Sequence, residues 1–132
     1  MNTTEATILQ DIDKEESMAR IRHVAFYTED PEREAQFYCG AFDLKRLRQS
    51  ENGSIWLSDG YINIALIKRS KSTGINHIGF LVDDLDSAQQ RLRQVMPAAE
   101  FEMPDENVTA AEFKLKDPDG NALDVSERGW AV

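Results

Sequence analysis

Apolar and polar positions along this chain follow one pattern twice. Residues 21–30 read Ile-Arg-His-Val-Ala-Phe-Tyr-Thr-Glu-Asp, and residues 75–84 read Ile-Asn-His-Ile-Gly-Phe-Leu-Val-Asp-Asp. At a constant offset of 54 residues, Ile, His, Phe and Asp recur in register. Each segment alternates and is rich in β-forming residues, so each is predicted to be a strand. The recurrence indicates two copies of one supersecondary unit.

A helix is predicted after each of these strands. Asp30-Pro31 places a capping side chain before a proline of the first helical turn, and Asp84 or Asp86 caps the second helix. In each helix, apolar residues recur at the spacing expected of a buried face. The first buried stripe is expected to contain Ala35, Phe37, Tyr38 and Phe42, and the second Leu85, Ala88, Leu92 and Val95.

Short alternating runs separated by turn signals follow each helix. In the first half they are Leu44–Gln49, Ser54–Leu57 and Tyr61–Ile67, with Asp59-Gly60 as a turn. In the second half they lie around Glu100–Met103, at Ala111–Lys116 and at Ala122–Ser126, with a turn at Asp117–Asn121. Asp-Gly between alternating runs is a strong hairpin signal. The predicted fold class is α+β: two tandem βαβββ modules that form a cupped, barrel-like mixed sheet with the helices outside.

The chain of 132 residues has the size of one domain. We assign residues 19–132 to that domain, made of modules 19–68 and 75–130 joined by a polar connector. Residues 1–18 form an acidic N-terminal extension with few apolar residues. Either a frayed terminus or a short helix that docks on the body or on a partner fits this composition.

Composition narrows the function classes. The net charge is −9 and no Lys/Arg run stands out, so no nucleic-acid partner is expected. The apolar stretches are far shorter than the roughly 20 residues of a membrane span, and the N-terminus does not resemble a signal peptide. A single cysteine, Cys39, fits a reducing compartment, and we expect a cytoplasmic protein.

Two histidines and one carboxylate are the candidate chemical centre. His23 and His77 are the only histidines, and they occupy the same position in the two repeats. A single strand histidine is most often structural, but the symmetry of the pair favours a shared role. Strand alternation places both on the face opposite the helices, and Asp124 on the same face of the last strand. Two histidines and a carboxylate suit Fe(II), Mn, Zn, Ni or Co and leave coordination positions open.

Several motifs together resemble the vicinal oxygen chelate superfamily over roughly residues 19–130. They are His23, Asp30-Pro31 with Phe37-Tyr38, Asn76-His77-Ile78-Gly79-Phe80, and Asp117-Pro118-Asp119-Gly120-Asn121. That superfamily includes glyoxalase I, fosfomycin-resistance enzymes, extradiol dioxygenases, methylmalonyl-CoA epimerase and bleomycin-resistance proteins. The resemblance implies paired βαβββ modules and a metal held by His23, His77 and Asp124.

The chain departs from the family pattern at two places. Asp124 stands where the family usually has the longer Glu. The place of the fourth protein ligand in glyoxalase I and the epimerase falls on Ala65, which cannot bind a metal. Three ligands resemble the dioxygenase and fosfomycin-transferase arrangement more closely. Extradiol dioxygenases also use a further histidine, which this chain lacks, so oxygen chemistry is not assigned.

Alternation also predicts which other side chains surround the site. Glu112 and Tyr27 are candidate catalytic residues that move a proton. The candidate substrate-binding residues are Trp56, Asn63 and Lys114, and Lys114 would hold an anionic substrate. Trp130 is expected to pack against the body of the domain.

The leading hypothesis is a metal-dependent enzyme that chelates two oxygens of a small substrate, as a glyoxalase- or dioxygenase-like lyase, isomerase or dioxygenase. The alternative is a metal-free small-molecule-binding protein of the bleomycin-resistance type, and a third is a structural or regulatory module with a vestigial site. The resemblance further implies a homodimer, in which His23 of one chain meets His77 and Asp124 of another or of the same chain.

Overall fold

The computed structural model describes residues 19–103 and 112–130. Its strands are β1 (Arg20–Thr28), β2 (Lys45–Gln49), β3 (Ile55–Ser58), β4 (Asn63–Lys68), β5 (Gly74–Leu81), β6 (Glu112–Lys116) and β7 (Ala122–Ser126). Helix α1 (Pro31–Phe42) follows β1, and helix α2 (Leu85–Val95) follows β5. The predicted N-terminal extension, residues 1–18, lies outside the described residues.

The seven strands of the described residues form one mixed sheet in the order β2-β3-β4-β1-β5-β7-β6. In the described part of the chain the sheet is cupped and not closed, with β2 and β6 at its edges. Strand β1 is parallel to β4, and β5 is parallel to β7. The two modules join through the antiparallel pair β1–β5. The predicted α+β fold and its repeat are therefore confirmed. We call the face of the sheet opposite the helices the inner face.

The strand predicted around Glu100–Met103 is wrong as a full strand. Of residues 100–103, which the structure describes, only Glu102 pairs with β6: its N–H donates to the carbonyl of Lys114 at 2.7 Å and its carbonyl accepts from the Lys114 N–H at 2.8 Å. In the sequence Pro97 and Pro104 flank this segment, and proline has no N–H to donate to a strand ladder. A single bridge is what remains of the predicted pairing.

Side-chain caps begin both helices. The Asp30 carboxylate accepts a hydrogen bond from the N–H of Arg33 at 3.1 Å, at the start of α1. The Asp84 carboxylate accepts from the N–H of Ser87 at 3.0 Å, at the start of α2. Of the two caps considered for α2, the structure therefore uses Asp84. Each cap satisfies a backbone donor that has no partner within its helix.

The first module has a tight core between α1 and the sheet. Ala35, Ile55, Leu57 and Leu66 are at most 1% exposed, and Tyr38 and Cys39 pack against them. The predicted stripe was wrong at Phe37 and Phe42, which are 57% and 64% exposed. Phe37 lies about 200° around the helix from Ala35, and Phe42 is the last helical residue.

The second module has a looser core. Its buried residues are Val82, Phe113, Leu115 and Val125, and Leu85, Ala88 and Leu92 of α2 pack against them. The prediction that Val95 is buried was wrong, because Val95 is the last residue of α2 and is 82% exposed. In the residues that the structure describes, no helix has the length and hydropathy needed to cross a membrane.

Candidate metal centre

Strand register brings the candidate ligands together on the inner face. His23 on β1 is opposite Gly79 on β5, and Gly79 is opposite Asp124 on β7. His77 precedes Gly79 by two residues and therefore points to the same face. It is thus a diagonal neighbour of both His23 and Asp124, a position from which long side chains reach each other.

The three side chains converge within one chain. One ligand atom from each of His23, His77 and Asp124 can be chosen so that all lie within 4.8 Å of one another. The Nε2 atoms of His23 and His77 are 3.2 Å apart, and His77 Nε2 is 3.1 Å from Asp124 Oδ2. His23 and Asp124 are buried, with 5% and 6% exposure. A site shared between subunits is therefore not needed to bring these residues together.

Asn76 determines which nitrogen of His77 faces the other ligands. The Nδ1 atom of His77 is 2.6 Å from Asn76 Oδ1, and this oxygen can only accept a hydrogen bond. Nδ1 therefore carries the proton, and in the neutral ring Nε2 presents its lone pair. Such an outer hydrogen bond is typical of metal-binding histidines. Asn76 directly precedes His77 in the sequence, but strand alternation does not predict this contact, because neighbouring residues of a strand point to opposite faces.

These contacts fit a divalent metal. The lone pair of a neutral His77 faces a carboxylate oxygen at 3.1 Å, and two acceptors at that distance need a positive charge on or between them. Either a proton on His77 or a metal supplies it. Two atoms bound to one ion at about 2.1 Å, and about 90–100° apart, are separated by about 3.0–3.2 Å. The observed 3.2 and 3.1 Å, which join His77 to His23 and to Asp124, match that separation.

The electrostatics keep His23 neutral. The pKa of His23 is lowered to about 4, mainly by burial and additionally by the charge of His77, and Asp124 and a hydrogen bond with Asn63 only partly oppose this. A histidine must be deprotonated to bind a metal. Near neutral pH, His23 therefore has no proton to lose before binding.

A lysine partners the carboxylate. Lys114 is the cross-strand neighbour of Asp124, and its Nζ donates to Oδ1 at 2.9 Å. Burial alone would raise the pKa of Asp124, but the interaction with His77 and the hydrogen bond from Lys114 outweigh it and lower that pKa. Burial alone would lower the pKa of Lys114, but Asp124 outweighs it and the pKa is raised. Both side chains are therefore charged at neutral pH.

Trp130 closes one side of the site. Its ring stacks on the His23 ring, with centroids 4.8 Å apart and planes 22° apart. A Cβ on Gly79 would lie 2.6 Å from Trp130 Cη2 and 2.8 Å from His23 Cβ, so only glycine leaves room for this stack. Trp130 packs against the body of the domain, as expected, but its contact with His23 was not foreseen. The sequence signal for this close contact was Gly79, a glycine within a strand that lies between the strands of His23 and Asp124.

The other predicted side chains lie at different distances from this centre. Asn63 is opposite His23 on β4 and interacts with it. Trp56 lies on β3, and the Arg48 guanidinium is 3.8 Å from its ring centroid. Tyr27 lies four residues from His23, about 13 Å along β1, and the Arg69 guanidinium is 4.8 Å from its ring centroid.

Glu112 and Ala65 complete the set of predicted positions. Glu112 lies two residues before Lys114 on β6, is partly buried, and its charge acts on the Lys114 ammonium. Ala65 pairs with Ala25, which pairs with His77, so Ala65 is in the row of the candidate ligands and offers no donor atom.

A cavity opens beside the candidate ligands. Its volume is about 570 Å³, and its lining includes Asn76, His77, Lys114, Lys116 and Asp124. The centre is thus bounded by Trp130 on the His23 side and borders open space on the Asp124 side.

Solved structures share this fold at low sequence identity. Homoprotocatechuate 2,3-dioxygenase from Arthrobacter globiformis is 16% identical with a TM-score of 0.68, over 89% of this chain and 38% of that chain. The 2,3-dioxygenase LapB from Pseudomonas sp. KL28 is 14% identical with a TM-score of 0.62, over 81% and 40%. Methylmalonyl-CoA epimerase from Mycobacterium tuberculosis is 15% identical with a TM-score of 0.59, over 80% and 85%.

This chain therefore spans about two fifths of the two dioxygenases and most of the epimerase. A comparison with curated protein sequences finds no match. The sequence profile of one family matches residues 20–125, which include most of both modules and all three candidate ligands. The chain belongs to the Glyoxalase/Bleomycin resistance protein/Dioxygenase superfamily.

Proposed function

We propose that this protein is a metal-dependent enzyme that binds one divalent ion through His23, His77 and Asp124. The observation that carries the proposal is the convergence of their ligand atoms within 4.8 Å on the inner face. Fe, Mn, Zn, Ni and Co all accept two imidazoles and a carboxylate. When bound, such an ion supplies Lewis-acid stabilisation of an oxyanion on a small substrate that chelates it through two oxygens.

The chain's own residues bind and orient the reactants in this proposal. Asn76 keeps Nε2 of His77 available as a ligand. Trp130 and the low exposure of His23 keep bulk water from that side of the centre. The substrate enters from the 570 Å³ cavity, whose lining includes His77 and Asp124.

Glu112 is the better candidate for moving a proton. It lies on the strand next to that of Asp124 and its charge acts on Lys114, which borders the cavity. Tyr27 is about 13 Å from His23 along β1. A general base has to come within hydrogen-bond reach of the proton that it abstracts, directly or through one water. We therefore assign proton transfer to Glu112 and treat Tyr27 as the less favoured candidate.

The alternative is a metal-free small-molecule-binding protein. One observation supports it: Asp124 is bonded to both His77 and Lys114, so a protonated His77 would complete an ion network without metal. Metal loading separates the two proposals.

The test is the metal content of protein incubated with Fe²⁺, Mn²⁺, Co²⁺, Ni²⁺ or Zn²⁺ and then freed of unbound ions. Wild type is expected to retain about one ion per chain, and His77→Ala and Asp124→Asn only a small fraction. Asp119→Asn is the matched control, because Asp119 is an exposed carboxylate in the turn before β7. Equal metal content in wild type and His77→Ala would overturn the metal site.

Turnover is tested separately. The solved structures of similar fold include catechol-type dioxygenases and a methylmalonyl-CoA epimerase by their names. A panel of catechols and methylmalonyl thioesters, assayed with metal-loaded and chelator-treated protein, is therefore the first screen. Metal-dependent turnover that Glu112→Gln slows more than Tyr27→Phe is the expected result. Tight binding of a panel compound without metal and without turnover would favour the binding protein.

A further inference from the structure

The two oxygens of the Asp124 carboxylate have different partners, and Lys114 is one of them. Its Nζ is 2.9 Å from Oδ1, whereas Oδ2 is 3.1 Å from His77 Nε2. The Asp124 side chain is only 8% exposed, and its backbone is fixed between β5 and β6. Its orientation is therefore defined: one oxygen points toward the imidazoles and the other is already bonded.

The surroundings of Lys114 keep its ammonium in this position. Glu102 is paired to Lys114 through both backbone hydrogen bonds, and Glu112 precedes it by two residues on the same face. The charges of both carboxylates attract the ammonium, in addition to Asp124. The Lys114 side chain is 45% exposed, so it also reaches the cavity.

We infer that Lys114 is a positioning residue that makes Asp124 a one-oxygen ligand and weakens the affinity of the centre for divalent cations. This inference rests on the proposed metal site. An ammonium bonded to Oδ1 occupies one lone pair of that oxygen and withdraws charge from it, which disfavours binding of the ion through Oδ1 as well. It also places a positive charge beside the cation, and the repulsion acts through the Asp124 side chain, which is only 8% exposed.

Lys114 also affects the open coordination positions of the centre. Two imidazoles and one carboxylate oxygen occupy three positions, whereas a two-oxygen carboxylate would occupy a fourth. Lys114 thereby keeps free a position that a chelating substrate needs for its second oxygen. The aspartate itself, shorter than the glutamate usual in the family, is compatible with this role.

The test compares Co²⁺ binding to wild type, Lys114→Met and Lys114→Arg, by competition with a chromogenic chelator and by the visible absorption of the bound ion. Lys114→Met removes the charge at similar length, and we expect about tenfold tighter binding. Its visible bands should weaken, because a second carboxylate oxygen raises the coordination number. Lys114→Arg keeps the charge and should resemble wild type in both measurements.

Lys116→Met is the matched control. Lys116 lies on β6, points to the same face, borders the same cavity and is paired with Ala122 rather than with Asp124. Lys114→Gln is a second neutral variant in case Lys114→Met unfolds, which far-ultraviolet circular dichroism would reveal.

The outcomes separate the two proposals. Binding that His77→Ala abolishes, with affinity and spectrum unchanged in both neutral Lys114 variants, would overturn the inference and leave the metal site intact. Binding that His77→Ala does not reduce would overturn the metal site and the inference with it. Tighter binding in Lys114→Met but not in Lys116→Met would support both.

Discussion

The two modules share the parallel pairing of their first and last strands, β1 with β4 and β5 with β7, but differ in how their helices pack. In the first module, Ala35 of α1 is fully buried against a core of at most 1% exposure. In the second, none of the residues of α2, all of which the structure describes, is fully buried. A cavity of about 340 Å³ lies between α2 and the sheet, lined by Leu92 and Val95 of the helix and by Leu115 and Val125 of the strands.

The candidate metal centre takes ligands from both modules, although their helices pack differently. The tight module supplies His23, and the loose module supplies His77 and Asp124. All three stand on strands at the junction of the modules, where β1 pairs with β5 and β5 with β7. The repeat has therefore kept the strand register that builds the site, whereas the helix packing has diverged. Side chains on paired strands are held more precisely than those on loops.

The largest effect on the free energy of unfolding is expected from substitutions in the two cores. Leu57→Ala empties a fully buried position of the first core and should lower the free energy of unfolding by about 3–4 kcal/mol. Leu92→Ala removes a partly buried side chain that already borders a cavity, and should cost about 1 kcal/mol. Urea unfolding of both variants measures the difference, and equal losses would show that the modules pack alike.

Substitution of Gly79 tests the packing at the junction of the two modules. Gly79→Ala places a methyl group 2.6 Å from Trp130 and 2.8 Å from the Cβ of His23, so we expect a loss of about 1–3 kcal/mol from overpacking. The Trp130 stack should open, which shifts the tryptophan fluorescence to longer wavelength, and metal affinity should fall.

Gly40→Ala is the matched control for that substitution. A Cβ on Gly40 meets nothing within 4 Å, and the residue lies inside α1. Alanine is favoured over glycine in a helix by about 0.5–1 kcal/mol, so this variant should be slightly more stable than wild type, with unchanged fluorescence. A Gly79→Ala protein that keeps the wild-type emission would contradict the proposed contact.

The helix caps give the smallest effects. Asp30→Ala should lower the free energy of unfolding by about 1 kcal/mol, because α1 loses its capping acceptor and is coupled to the tight core. Asp84→Ala should lower it less, since α2 packs more loosely. Chemical unfolding measures both, and a larger loss at Asp84 would reverse the comparison of the modules.

The Asp84 cap should also make the stability of the fold depend on pH. Hydrogen bonds from Ser87 lower its pKa from the ordinary 3.8. A lowered folded-state pKa stabilises the fold above pH 3.8, and the contribution is lost as pH falls through the lowered value. The stability difference between wild type and Asp84→Asn should therefore shrink in acid. A difference that stays constant down to pH 2.5 would show that the carboxylate charge is not the cause.

Much of the fold was predictable because the repeat constrains it. The alternation around His23 and His77, together with that around Asp124, correctly assigned the inner face, since a one-residue slip would expose every apolar residue of a strand. The hairpin turns and the Asp30 cap follow from local chemistry alone. These signals depend on neighbours in sequence, which a single chain shows directly.

The rest of the candidate site depends on contacts between residues that are close in space and not predictable from their neighbours in sequence. The bond from Asn76 to His77, the stack of Trp130 on His23 and the ion pair of Lys114 with Asp124 require exact register between strands. Periodicity also misplaced Phe37, because an aromatic residue near the predicted stripe was counted as buried. Exposure at that position depends on where the helix sits on the sheet.

The most direct test of the metal site is a crystal grown with Co²⁺ or Mn²⁺ and measured at the absorption edge of the metal. One anomalous peak about 2.0–2.3 Å from His23 Nε2, His77 Nε2 and Asp124 Oδ2 is the predicted result. No peak at these atoms, with His77 bonded directly to Asp124 as an imidazolium, would contradict the metal site.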